Sequence, residues 1–285
     1  MDAHNSPSLA DYINHHLKNL GYVDGQLTTQ KGLLDFSVIN VDTVFWSILC
    51  GVIACLVMAI VAKSATSGAP GRVQAAVEML VEMVDGQTKA QIHGDRRFIA
   101  PLSLLIFVWI ALMNCLDFLP VDLFGQIFEW TGLNGTFKYH RVVPTSDLNV
   151  PLGMAITIIV MSIYYALKMK GVGGFFRELF VHPFGAMMFP FNLFLNLIEY
   201  CSRLISLSMR LWGNMYAGEL IFLMIAILGS KILTGFVGGT AFFLCHVVSG
   251  SIWAIFHILI VFLQAFIFMM LTIVYLGLAH QTGHD

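Results

Sequence analysis

The residues able to do chemistry in this chain crowd into 204–221, LISLSMRLWGNMYAGELI, where an arginine (Arg210) and a carboxylate (Glu219) interrupt a stretch apolar enough for lipid. A charge in mid-bilayer is costly, so an ionisable group there points to function by default. Wound as one helix at about 100° per residue, the segment and its approach put Glu199, Arg203, Ser206, Arg210 and Asn214 on one face. Glu219 falls about half a revolution from Arg210 and roughly 13 Å further along the axis. The two charges cannot pair on their own helix, and each needs a partner elsewhere.

A guanidinium keeps its proton under essentially all conditions, so Arg210 offers a fixed positive charge and no proton. Glu219 and His257 can gain and lose protons, while the amides Asn214 and Gln264 can hold water or orient Arg210. Glu199 and Ser206, further back on Arg210's face, can begin a second aqueous path. Gly213, Ala217 and Gly218 are small enough to let another helix approach closely. The resulting picture is two offset half-channels separated by a permanent cation. A proton crosses only when something mobile, such as a partner's carboxylate, carries it from one to the other. Each residue also has a plainer reading. Arg203 can simply snorkel to the interface, Ser206 can bond back to its own helix, and His246, His280 and His284 can be incidental. Arg210 can be half of a structural ion pair, although no acid lies within a turn on its face.

These residues must be positioned by membrane elements. With 58% hydrophobic and 11% charged residues in 285, and a mean hydropathy of +0.79, the chain is polytopic. Its net charge of −2 says nothing about partners, nothing in it resembles a basic nucleic-acid footprint, and no soluble domain, phosphate loop or nucleophile elbow is evident. The five cysteines are scattered through apolar stretches without metal-ligand spacing and read as small core residues. Residues 1–40 read as an extramembrane segment with a weak amphipathic helix near Ser8 and no signal or transit peptide, and 41–285 as one polytopic domain. Spans are predicted at 43–62, 98–116 and 148–167, with an amphipathic surface helix at 72–93.

Lys63, Arg72, Lys89, Arg96 and Arg97 lie between the first two spans, and Lys168, Lys170 and Arg177 follow the third. That bias places both loops inside and the N-terminus outside. The apolar stretches 190–228 and 232–279 are each far longer than the roughly 20 residues a span needs, so each must tilt strongly or break. If they fold back antiparallel with Gln264 level with Arg210, His257 falls level with Glu219 and the apex near 237–238. The predicted fold class is an all-α integral membrane protein: three ordinary spans, a surface amphipathic helix, and two long tilted helices in a C-terminal hairpin.

RLWGNMYAGEL, with WAIFHILIVFLQAFIF downstream, resembles subunit a of the bacterial F-type ATP synthase, the membrane stator against which a ring of c subunits turns. NHHL, KSATSGAPG, MNCLDFLPVDL, RVVPTSDLNV and KMKGVGGF carry the resemblance over essentially the whole chain. It implies a non-catalytic F0 subunit that delivers protons to and from the carboxylates of the rotating ring and so drives ATP synthesis. Arg210 then matches the essential stator arginine. Glu219, His257, Asn214 and Gln264 match the periplasm-facing proton path, and Asn114, Asp117, Asp122, Arg141 and Asp147 match polar positions near its mouth. Implied partners are the c-ring, the b subunits of the peripheral stalk, indirectly the F1 sector, and lipid. No nucleic acid, cofactor or metal is implied. The implied location is the bacterial inner membrane, N-terminus periplasmic and C-terminus cytoplasmic.

Two departures stand out. Some relatives carry an acid where this chain has Asn196, whereas its acid is Glu199, one turn on, and the stretch from Glu219 to His257 is longer. Two other classes compete. A secondary ion or proton transporter acting alone usually shows internal repeats with paired broken helices, and there is no second copy of the 204–221 pattern. A di-haem cytochrome needs histidine pairs on facing helices, which His246 and His257, on one helix, supply poorly.

Overall fold

The computed structural model describes residues 20–23, 26–29, 38–66, 68–92, 94, 96–119, 141–181, 184–230 and 236–280. The helix expected near Ser8, and Asp122, lie outside the described residues. Three short strands, β1 (Leu20–Val23), β2 (Gln26–Thr29) and β3 (Ile39–Asn40), form an antiparallel sheet in the order β2-β1-β3. The sequence carried a signal for the first pair: Asp24-Gly25, between the two, is the dipeptide that two-residue hairpins favour.

The helices follow the apolar stretches. They are α1 (Val41–Ser64), α2 (Arg72–Gln91), α3 (Ile99–Cys115), α4 (Asn149–Val181), α5 (Phe189–Ser230) and α6 (Phe236–His280). Among the described residues, five of these are long and apolar enough to cross a bilayer, and α2 is the exception. Asp42 in the first turn of α1 and Lys63 in its last complement the helix dipole. α4 outruns the span predicted at 148–167 because a second helical stretch follows the first across a break at Gly171. There φ is +72°, a conformation glycine adopts without strain. α5 and α6 have 42 and 45 residues, roughly twice the length that a hydrocarbon core of about 30 Å accommodates upright.

The α5–α6 register is visible in three contacts. A Cβ added to Gly218 would overlap the His257 ring, one on Gly250 would stand 3.6 Å from Ile225, and one on Gly229 would lie 3.0 Å from the His246 ring. Steps of seven and four residues up α5 match equal steps down α6, as an antiparallel pair requires. His257 thus rests on the neighbour of Glu219, one residue from the level predicted. The apex needs correction, however, because residues 237–238 are already helical in α6. The two helices need not end at equal heights, as the symmetric reading requires: α5 ends at Ser230 and α6 begins at Phe236.

The chain divides into two compact units. One comprises Met1–Cys50, Ala111–Val150 and Trp212–Leu263, and the other Gly51–Ile110, Pro151–Leu211 and Gln264–Asp285. In the second unit α2 buries Val84 and Thr88, and its C-terminal end packs beside Gly277 of α6, whose added Cβ would stand 3.3 Å from the Gln91 carbonyl oxygen. The α4–α5 corner in the same unit is tied by Asn192, which is fully buried. Its amide donates to the carbonyls of Phe180, Val181 and Gly185 at 3.0, 3.1 and 2.8 Å, and its oxygen accepts from the Phe184 N–H at 3.2 Å. The first two carbonyls close the end of α4, where intrahelical partners run out, and the third lies in the connection to α5.

Candidate functional site

In the first unit Glu219 finds its partner in Arg141. The Arg141 Nε donates to both carboxylate oxygens at 3.3 and 3.2 Å, and Nη2 completes an ion pair with Oε2. Both side chains are more than nine-tenths buried. A buried carboxylate and guanidinium hold their charges only with such matched hydrogen bonds. The Arg141 guanidinium also lies over the Tyr216 ring, 5.6 Å from its centroid, and its backbone N–H donates to Asp42 Oδ2 at 3.1 Å. Asp42 is therefore a site residue that the sequence disguised as an ordinary helix-start acid.

Asp147 anchors the same loop. Its Oδ2 accepts from Asn40 at 2.6 Å and from the Thr43 hydroxyl at 3.1 Å, and its Oδ1 accepts from the Asn149 N–H at 3.2 Å. Thr145 donates to Asn114 Oδ1 at 2.8 Å. The start of α1, the end of α3 and the loop before α4 are thus bound through polar side chains that hold Arg141 toward Glu219.

His257 is fully buried, with its Nε2 2.6 Å from Asp117 Oδ2. The contact is close but off the line of a hydrogen bond, and neither ring nitrogen nor that oxygen has a hydrogen-bonded partner among the described residues. Phe118, Phe222 and Trp253 surround the imidazole at centroid distances of 5.4, 5.2 and 5.9 Å. The Trp253 Nε1 and Asn114 Nδ2 are likewise buried without hydrogen-bonded partners. Buried polar atoms in this condition are where ordered water is normally held. The arrangement gives an acid–imidazole contact able to exchange a proton, beside the turn of α5 that carries Glu219.

In the second unit Arg210 is exposed on α5, and among the described residues its guanidinium bonds only the Ser206 hydroxyl, at 3.1 Å. Ser202, Ile205, Ser206, Met209 and Arg210 form an exposed stripe along that helix, and Gln264 on α6 is buried; Asn214 and Ala217, in the first unit, are exposed as well. Glu199 pairs with Arg203 one turn on. Arg203 does more than reach for the membrane surface: it lies over the rings of Tyr200 and Tyr275, at 5.7 and 5.3 Å. Glu199, Arg203 and Asn196 line a cavity of about 400 Å³ with the Lys170–Glu178 ion pair. Asn196 donates to the Leu179 carbonyl at 2.9 Å, an amide's task that a carboxylate in its place could not perform.

The sequence singled out Arg210, Glu219 and His257 as well as Arg141, Asp117, Asn114 and Asp147, and the structure brings Arg141 to Glu219 and Asp117 to His257, pairings that the sequence reading did not make. That reading did not single out Asp42, Asn40, Thr43, Tyr216 and the aromatic rings around His257 in the first unit, or Glu178 and Tyr275 in the second, and it read Lys170 only as a flanking basic residue. The helix-start motif NVDT was the available signal for the first three.

The family model described as ATP synthase A chain matches residues 44–277. The chain is similar to ATP synthase subunit a of Acidovorax sp. (strain JS42), at 48% identity over 98% of both proteins. It is also similar to the proteins of that name in Colwellia psychrerythraea, at 45% over 95% of both, and in Psychrobacter arcticus, at 42% over 96% of this chain and 97% of the relative.

Proposed function

Because the chain belongs to the ATP synthase A chain family, we propose that it is the proton-translocating stator of an F0 sector, with two offset half-channels separated by Arg210. The outer path runs through Asp117, His257, Arg141 and Glu219, with Asn214, Gln264, Asn114 and Asp147 supporting it. The inner path runs through Glu199 and Ser206. A ring of c subunits turns against the exposed stripe of α5, the b subunits hold the stator, and the F1 sector makes ATP elsewhere. The chain spans the bacterial inner membrane with its N-terminus periplasmic.

One observation carries this reading: Arg210 is exposed on a membrane helix with only a serine for a partner among the described residues, while the acid on that helix is already engaged by Arg141. Facing lipid, such a cation costs at least about 3 kcal/mol. Facing a ring carboxylate, it favours the ionised form in front of it and bars protons from crossing directly. A potential of 100 mV is worth about 2.3 kcal/mol per proton, and the offset of the two paths turns that into a sideways bias on the ring.

The test is Arg210→Ala in inverted vesicles holding the complete synthase. The complex should assemble and ATP-driven proton pumping should be lost. Full pumping by the variant would overturn the reading.

A further inference from the structure

His246 repeats the packing of His257, eleven residues and about three helical turns closer to the start of α6. Each imidazole sits on a glycine of α5, His257 on Gly218 and His246 on Gly229, and at both positions an added Cβ would crowd the ring. The His246 Nδ1 lies 2.8 Å from the Ile225 carbonyl oxygen. A carbonyl only accepts, so Nδ1 carries the hydrogen and Nε2 is left to bind a proton. The bond falls in the last turns of α5, where the helix dipole favours a positive charge. Ile225 and Gly229, the α5 residues against the ring, are not ionisable, and neither is Ser249 one turn away on α6.

Between the two histidines, the same face of α6 carries Gly250, which has no side chain, and Trp253, whose buried Nε1 has no hydrogen-bonded partner among the described residues. His257 has two unsatisfied ring nitrogens at the far end of this file. His246, Gly250, Trp253 and His257 follow one another at four, three and four residues along one helix face, and the unpartnered atoms of Trp253 and His257 at its far end are a place for ordered water.

We propose that His246 is a further proton-binding residue, the outermost station of the path that leads to His257 and Glu219. Its Nε2 takes a proton from water on the outer side and returns it to water along the face toward Trp253, with Nδ1 keeping its hydrogen on the Ile225 carbonyl throughout. The inference rests on the outer path proposed above.

The experiment measures proton flux through the complete synthase in proteoliposomes, with the variants H246Q, H246A and E219Q prepared in parallel. His246→Gln keeps a donor for Ile225 but cannot carry the charge. Flux should fall roughly tenfold, less than the loss typical for a positioned acid–base group because water still reaches His257. Added imidazole should restore His246→Ala, whereas thiazole, of the same shape but far less basic, should not. Wild-type flux in His246→Gln, failure of imidazole to rescue, or equal rescue by thiazole would each overturn the proposal. If Glu219→Gln is slow while His246→Gln is not, the inference about His246 falls alone. If Glu219→Gln also conducts normally, the outer path itself falls.

Discussion

Arg141 and Glu219, 78 residues apart in sequence, meet as a buried ion pair in which one guanidinium grips both oxygens of one carboxylate. Neither charge could be buried alone. The pair makes Glu219 both a titratable group and a structural one, because its charge is what permits Arg141 to be buried.

Removing one partner should therefore do more harm than removing both. Arg141→Ala leaves a buried carboxylate without its counter-charge and should cost about 3–5 kcal/mol of stability. The double variant Arg141→Met with Glu219→Leu should recover most of that loss while remaining unable to conduct protons. Thermal inactivation of the assembled complex, followed beside proton flux, separates the two effects. If the double variant were no more stable than the single one, the pair would not be the source of the burial energetics.

Gly218 and Gly153 offer a matched comparison. An added methyl at Gly218 would overlap His257, whereas nothing lies within 4 Å of a Cβ at Gly153. Gly218→Ala should displace the imidazole from Asp117, destabilise the fold by about 1–3 kcal/mol and slow proton flux. Gly153→Ala should be neutral or stabilising by up to about 1 kcal/mol, the ordinary helix preference for alanine. Equal behaviour of the two variants in flux and thermal inactivation would show that the His257–Gly218 contact does not matter.

How much of this was legible beforehand depended on contrast. Arg210, Glu219 and His257 were visible because polar residues stand out in an apolar run, and their helical phase follows from spacing alone. The level of His257 beside Glu219 was also within reach, because an antiparallel pair has a fixed rise. The identity of Glu219's partner was not: Arg141 lies in a loop, where no period operates, and only folding decides which charges meet. Asp42 was hidden for the opposite reason, since an acid at a helix start already has a sufficient local explanation. The extension of α4 past Gly171 and the start of α6 at Phe236 depend on where individual helices begin and end, which glycine positions mark only loosely.

Asn192 concentrates four hydrogen bonds on one buried amide. Asn192→Leu keeps the volume and removes them all, leaving the Phe180 carbonyl and the Phe184 N–H without this partner and the Val181 and Gly185 carbonyls with only the N–H groups of Gly185 and Met188. At about 1 kcal/mol for each bond, the loss should approach 3–4 kcal/mol. It should appear as lower thermal stability and as proteolysis between α4 and α5. Asn192→Asp should fare almost as badly, because a carboxylate cannot donate to three carbonyls. A stable Asn192→Leu variant would mean that the carbonyls are satisfied in another way.

Glu199 should show the reverse pattern, a functional loss without a structural one. Its side chain is 55% exposed and its partner Arg203 25%, and a solvent-facing pair of this kind is worth about 0–1 kcal/mol. Glu199→Gln should therefore leave thermal stability within about 1 kcal/mol of the parent. If the cavity it shares with Lys170, Glu178 and Tyr275 is the inner aqueous path, the same change should slow proton flux in both directions of rotation. Arg203→Met, which frees Glu199 from its partner but keeps the carboxylate, should slow flux less. A Glu199→Gln variant with unaltered flux would move the inner path away from this cavity, and Glu178, the other carboxylate on its wall, would be the next residue to replace.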